Sequence, residues 1–386
     1  MELQVTDTVS GTCDDRFAEV REVFADSLAS GREVGAAVCV YSDGQPVVDL
    51  WGGKADPGTG RVWARDTIVS TFSVSKGVVS TMAHILIDRG ELDPDAPVSR
   101  YWPEFAAAGK EPMPVRNIMD HQAALCYVNR RLEPGDLYDW DLMTAALAET
   151  KPHWAWGEKP VYLNMTYGYL LGEVVRRVSG KGLAQFMREE IAGPLGIDFH
   201  FALNAEQIAR CASVLQIKPR AVFEAAEADP DSVFGKSMAG WGAGEDFNSA
   251  AWRQAQVGSG SGHGNARAIA RLFACLGQSG TLDGVRLMAP ATVEAARAFQ
   301  CETDGEDPLL GVSGLRFCLG YELNSPPVLA MGPNPRTFGQ WGAGGNLGFA
   351  DIEAGVAFGY TPNLMHDAME VGPRAGALVD ALYASL

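Results

Sequence analysis

Residues 70–90, STFSVSKGVVSTMAHILIDRG, decide how the rest of the chain is read. Val78 to Ile87 is apolar on nearly every side until Asp88-Arg89-Gly90 ends it, the pattern of a helix buried all round rather than one lying on a surface. Ser73 stands at the start of that helix and Lys76 three residues on, so the two side chains share a face one turn apart. A serine hydroxyl is a poor nucleophile until a base takes its proton. A lysine amine serves as that base only when burial or neighbouring cations keep it neutral. The helix start adds free N–H groups and the positive end of a dipole, which stabilise negative charge developing at Ser73 and on an attacked carbonyl oxygen. An N-capping serine followed by a solvated lysine would be written with the same letters; the apolar helix behind Lys76 favours the catalytic alternative.

Working outward, 386 residues allow two or three domains at ~150 residues each. Lys and Arg number 31 against 48 Asp and Glu, a net charge of −17, which repels nucleic-acid phosphates and anionic membranes and removes both as expected partners. Seven scattered cysteines include no C-x-x-C pair and read as reduced and structural. No stretch approaches the ~18 apolar residues of a membrane span. The N-terminus shows neither a basic nor an apolar leader segment, so the expected compartment is the cytoplasm. No serine is the centre of a G-x-S-x-G, the histidines form no H-E-x-x-H, and no phosphate-binding glycine loop follows a strand. No metal and no organic cofactor is therefore expected.

The two ends share one grammar. A helix over residues 15–30 precedes strands at 35–41 and 46–51, joined by a turn carrying Asp43-Gly44. Near the other end strands are expected at 315–323, 347–352 and 356–360, then a helix at 373–386. The middle is helical, with segments at 141–150, 167–178, 183–190 and 266–276. The expected fold class is α+β: an antiparallel sheet built from residues 1–92 and 281–386, flanked by terminal helices, with an inserted mainly helical lobe over 93–280 and the active site in the groove between them. Gly258 to Gly264, alternating Gly and Ser, reads as a flexible loop before a helix. Trp154, Trp156, Trp241, Trp252, Phe234 and Phe247 are candidates to line an apolar cleft, although most such residues belong to a core.

Three ordered motifs carry a family likeness. Ser73-Val74-Ser75-Lys76 opens the buried helix, Tyr162-Leu163-Asn164 precedes another, and Gly339 to Gly345 (GQWGAGG) precedes a strand pair. Together the three resemble the serine β-lactamase and penicillin-binding-protein superfamily, and within it the class C β-lactamase-related carboxylesterases known as family VIII. The resemblance implies that Ser73 is acylated, that Lys76 and Tyr162 move its proton, and that the N–H groups of Ser73 and Ala343 form an oxyanion hole. Tyr167 and Tyr169 are rivals for the tyrosine role, but they fall inside the following helix, where tyrosine usually packs. A phenol beside an ammonium is drawn toward phenolate, so the pair would share one proton. Asn164 would hydrogen-bond the substrate or Lys76.

The third motif departs from the pattern. Penicillin-recognising members carry Lys-Thr-Gly where this chain has Gln340-Trp341-Gly342, so an amide and an indole replace a cation and a hydroxyl. Losing a charge-assisted hydrogen bond to a substrate carboxylate costs about 1.5–3 kcal/mol, whereas a neutral ester loses nothing. Gln340, Trp341 and Gly342 are therefore expected to border a site for small neutral carboxylic esters, with Trp341 as an apolar wall. A β-lactamase, D-amino-acid peptidase or acyltransferase using the same acyl-enzyme is the alternative, and a non-catalytic binding protein of the same fold the third. A homo-oligomer is left open.

Overall fold

A computed structural model describes residues 9–133, 135–216, 221–238, 246–366 and 371–386. Among these, strands from the two ends of the chain meet in one antiparallel sheet. Its main path uses β1 (Val9–Cys13), β2 (Gly35–Ser42), β3 (Gln45–Asp56), β4 (Phe299–Glu302), β5 (Arg316–Cys318), β6 (Glu322–Leu323), β7 (Phe338–Gly342), β8 (Asn346–Asp351) and β9 (Val356–Pro362). The spatial order is β1-β3-β2-β9-β8-β7-β6-β5-β4. The seam between the chain ends lies at β2 and β9, where Val38 opposes Tyr360 and Val40 opposes Phe358. Asp43 and Gly44 turn β2 into β3 with positive φ at both positions, as the Asp-Gly step leads one to expect.

Strand alternation divides the interior in two. On one face Val38, Val40, Leu50, Phe349 and Phe358 pack under α1 (Ala18–Ala29) and under the C-terminal helix Gly372–Ala384. On the other, Cys39, Ala350 and Ala357 join a larger core with α2 (Val74–Asp88), the helices α3 (Trp140–Glu149) and α4 (Thr166–Ser179), and α5 (Ala266–Gly277). The C-terminal helix is α6.

Two expectations change. The single strand at 315–323 is two short antiparallel strands, β5 and β6, because the chain reverses over Cys318–Tyr321, with Gly320 at φ +92 and Cys318 N–H donating to Tyr321 O at 3.0 Å. Helix α5, which the sequence division places in the inserted lobe, packs on the sheet. It sits so close that a Cβ at Gly359 would lie 2.2 Å from Ala266 O and one at Gly348 would lie 2.3 Å from Ile269 Cγ2, so both positions require glycine. Residues 183–190 begin helical and then widen to a π-helix over Met187–Ala192.

Candidate active site

Helix α2 is buried from Val74 through Leu86, and Ser73 caps its start with partial exposure. The turn into it is unusual. Phe72 holds φ +47, a left-handed conformation that costs a non-glycine residue about 1–3 kcal/mol, and its ring is braced edge-on by Phe247 at 5.0 Å and against Trp252 at 6.3 Å. Phe247 and Trp252 are thus packing under the nucleophile turn, 3% and 0% exposed, rather than walls of an open cleft. Trp154, Trp156 and Phe234 pack partly buried against the core, and Trp241 lies outside the described residues.

Lys76 Nζ donates to Ser73 Oγ at 2.9 Å and to the Ser259 carbonyl at 3.2 Å. Burial lowers its pKa from 10.5 to about 7, opposed by the charge of Glu322. A fully buried ammonium loses its hydration, which favours the free amine that can take the Ser73 proton. The Gly-Ser run is what holds it. Gly258 to Gly264 is buried throughout rather than a loose loop. Ser259 Oγ donates to Met165 O and accepts from Gly168 N–H, while Gly262 O accepts from Thr71 N–H at 2.8 Å. Small residues are needed because the backbones nearly touch: a Cβ at Gly168 would lie 2.1 Å from Ser259 N.

Tyr162 reaches the same point from the segment ahead of α4. Its backbone N–H donates to Asp307 Oδ2 at 2.8 Å, and the next N–H, of Leu163, donates to His121 Nδ1 at 2.9 Å. The His121 ring stacks on Tyr162 at 5.0 Å and on Tyr167 at 4.9 Å. Burial and the charge of Lys76 push the His121 pKa well down, so it is a neutral platform. Ser73 beside the Tyr162 phenol lowers its pKa, yet burial and the carboxyls of Glu322 and Asp307 drive it well above 10. Lys76 Nζ lies over the ring face, 4.8 Å from its centroid. The phenolate expected beside an ammonium is therefore not favoured: desolvation outweighs the attraction, and the resting phenol keeps its proton. Tyr167 and Tyr169 are occupied elsewhere, Tyr167 by Ser80 and Gly320 O, Tyr169 by Leu137 O.

Strand β7 brings the third motif against the helix start. A Cβ at Gly342 would lie 2.4 Å from Thr71 O and 3.2 Å from Ser73 N, so the strand end and the nucleophile turn are in direct backbone contact. Ala343 follows, partly exposed. Backbone bonds of the turn run from Val74, Ser75 and Lys76 back to Thr71, Phe72 and Ser73, and none uses the Ser73 N–H. Gln340 and Trp341 sit deeper than a substrate wall, 1% and 3% exposed; Gln340 Nε2 donates to Glu322 Oε1 at 2.9 Å, and Trp341 packs in the core under the terminal helices. The Asn164 amide donates to Met238 Sδ at 3.5 Å rather than to Lys76.

Glu322, His121, Asp307 and Ser259 were not singled out from the sequence. Glu322 had left a signal, a lone carboxylate inside the apolar run 315–323, and Ser259 another in the Gly-Ser alternation that marks close backbone approach. His121 and Asp307 carry none, since each reaches Tyr162 from a distant segment. Among the described residues no group of His, Cys, Asp or Glu is arranged to hold a metal.

A β-lactamase family profile matches residues 20–383. An esterase/β-lactamase of Mycobacterium tuberculosis, LipL, is 34% identical over 95% of this chain and 86% of its own. The crystal structure of a family VIII carboxylesterase superposes with a TM-score of 0.90 at 36% identity, covering 98% of this chain and all of that one. A penicillin-binding-protein homologue from Caulobacter crescentus superposes at 0.87 with 35% identity, over 98% of this chain and all of its own. The chain belongs to the β-lactamase family and is a serine hydrolase of β-lactamase fold with esterases among its relatives.

Proposed function

We propose that the protein is a serine carboxylesterase cleaving small neutral esters through an acyl-enzyme on Ser73. The observation that carries this is the hydrogen bond from a desolvated Lys76 Nζ to Ser73 Oγ. As Ser73 Oγ bonds to the ester carbonyl carbon, its proton passes to the Lys76 amine, and the carbonyl oxygen gains negative charge facing the N–H groups of Ser73 and Ala343. Collapse breaks the bond to the alcohol oxygen, which takes the Tyr162 phenolic proton; Tyr162 is reprotonated from Lys76. Water then repeats the sequence on the acyl-enzyme and releases the acid. Donors such as these backbone N–H groups are worth roughly 2.7–4 kcal/mol each in the transition state.

Two features support a neutral substrate. The residue in the place of the motif's lysine is Gln340, and its amide is engaged by Glu322, so it offers no charge to a substrate carboxylate. Esterase-named relatives, LipL and the family VIII carboxylesterase, point the same way. Gln340, Trp341 and Gly342 border this site through the backbone of β7, and Asn164 through its exposed edge. A cytoplasmic setting agrees with seven free cysteines; among the described residues no helix is long and apolar enough to cross a membrane.

The test is initial rates of the protein and its Ser73→Ala variant on p-nitrophenyl esters of increasing acyl length, beside a chromogenic cephalosporin. Ester turnover lost in Ser73→Ala, with little cephalosporin cleavage, is expected. Equal rates for the two proteins would remove Ser73 as nucleophile, and dominant cephalosporin cleavage would favour a β-lactamase.

A further inference from the structure

We infer that Arg374, on α6 and held by Glu33, is a positioning residue for acyl transfer: it fixes the turn over Ala343, Gly344 and Gly345 so that the Ala343 N–H keeps its direction toward the oxyanion. The inference rests on the esterase reading above, with Ala343 as the second oxyanion donor.

The turn that follows β7 has little stiffness of its own. Gly342 is extended at φ −139, and Gly344 and Gly345 then take φ +82 and +102, both left-handed. Glycine reaches such conformations at no steric cost and leaves them as readily, so two of them in succession do not by themselves set the plane of a neighbouring peptide. Side chains do it instead. Asn346 Nδ2 donates to Ala343 O at 3.1 Å, and Arg374 Nη2 donates to Gly344 O at 3.0 Å. The two carbonyls that come directly after the Ala343 N–H are thereby held in turn, the first from β8 and the second from α6. Met365 closes on the same turn, its Cγ 2.9 Å from where a Cβ on Gly344 would stand.

Arg374 is itself locked. The side chains of Arg374 and Glu33 are 9% and 1% exposed, and Nη1 donates to Glu33 Oε2 at 2.7 Å. Besides meeting Gly344 O, Nη2 donates to Leu364 O at 2.6 Å, just past the end of β9. Glu33 belongs to the turn between α1 and β2, where its own N–H donates to Ser27 O at 3.0 Å. A guanidinium presents its donors in a rigid planar fork, so seating Nη1 on Glu33 and Nη2 on Leu364 O determines how Nη2 meets Gly344 O. Little water reaches the fork to replace a lost acceptor, which makes the arrangement costly to leave. Three segments remote from the nucleophile, the turn after α1, the end of β9 and α6, thus converge on one carbonyl of the oxyanion turn. A lysine would bring a single point donor and could not hold these acceptors in one plane.

The experiment compares the protein with Arg374→Lys, Arg374→Met and Arg374→Met/Glu33→Gln, using three readouts on folded enzyme: kcat/KM on p-nitrophenyl acetate, affinity for an alkyl trifluoromethyl ketone, and affinity for the alcohol obtained by reducing that ketone. Ser73 Oγ bonds to the ketone carbon, its proton passes to Lys76, and the carbonyl oxygen becomes an oxyanion; the alcohol fills the same space and forms none. The expected result is a fall of about tenfold to a hundredfold in kcat/KM and in ketone affinity together, with alcohol affinity changed less than threefold. Values of kcat/KM and ketone affinity within a factor of three of the parent in folded Arg374→Lys or in the double variant overturn the inference. Equal losses of ketone and alcohol affinity overturn it too, because a merely structural role would disturb both alike. Should Arg374→Met not fold, Arg374→Lys, which keeps a cation beside Glu33, decides on the same terms. If Ser73→Ala retains ester turnover, it is the esterase reading that fails; if Ser73→Ala is inactive and the Arg374 variants keep their rates, only the role of Arg374 falls.

Discussion

Gly342→Ala places a single methyl group between the third motif and the nucleophile turn. Its carbon would sit 2.4 Å from Thr71 O, and neither side can yield cheaply, because both are backbone. Thr71 is fixed in addition by its N–H at 2.8 Å and its hydroxyl at 3.0 Å on Gly262 O. The strand end and the helix start must therefore part by roughly 0.6 Å before the contact reaches the 3.0 Å that Cβ atoms tolerate. That separation opens the gap between the Ser73 and Ala343 N–H groups, while leaving Ser73, Lys76 and Tyr162 in place. Losing one oxyanion donor costs about 10²–10³ in kcat, and a displacement near 1 Å about 10². The expected outcome is a kcat on p-nitrophenyl acetate reduced about a hundredfold with KM changed far less. Gly376→Ala is the control: it lies in α6 with nothing within 4 Å of the new carbon, so helix propensity should stabilise it by about 1 kcal/mol with unchanged rates. Thermal unfolding of both variants at the assay pH separates lost geometry from lost fold. A folded Gly342→Ala enzyme with kcat within a factor of three of the parent would refute the argument that this backbone contact shapes the oxyanion site.

Tyr162→Phe removes the phenolic proton but keeps the ring that stacks on His121; kcat/KM should fall about 10²–10⁴-fold while the thermal midpoint stays within a few degrees, and retained activity would return the acid role to another group. Arg374 joins Glu33 at 2.7 Å in a pair 9% and 1% exposed and donates to Gly344 O at 3.0 Å; Arg374→Met should cost about 3–5 kcal/mol in denaturant unfolding, and Glu33→Gln added to it should recover part of the loss. His84 is buried, donates Nε2–H to Leu319 O at 2.7 Å, and has its pKa lowered from 6.5 to about 4. The unfolded chain thus binds more protons than the folded one between those values, so stability present above pH 6.5 is lost as pH falls toward 4, on the order of 3 kcal/mol from this residue. Urea midpoints at pH 7 and pH 5 should differ by less in His84→Gln than in the parent.

What the linear chain determined was local. The uninterrupted apolar run from Val78 to Ile87 can only be satisfied by burial, and the spacing of three between Ser73 and Lys76 then places both on one face of a helix start. Asp43-Gly44 dictated its hairpin, and the apolar stretches near both termini required each other as strand neighbours. The periodicity and turn chemistry behind these readings act within a few residues, whereas the pairing of β2 with β9 joins the two ends of the chain. The tertiary structure decided which groups share the site and in what charge state. Tyr162 was chosen over Tyr167 and Tyr169 by where the other two hydroxyls bond, and its protonation by burial among Glu322 and Asp307. Gln340 and Trp341 looked like a substrate wall when read as replaced letters, but β7 turns the first toward Glu322 and the second into the core. Helix α5 joined the sheet rather than the lobe because Gly348 and Gly359 admit it. A side chain's protonation and direction are set by what desolvates it, and those neighbours come from other segments of the chain, as Asp307 does for Tyr162 and Ser259 for Lys76.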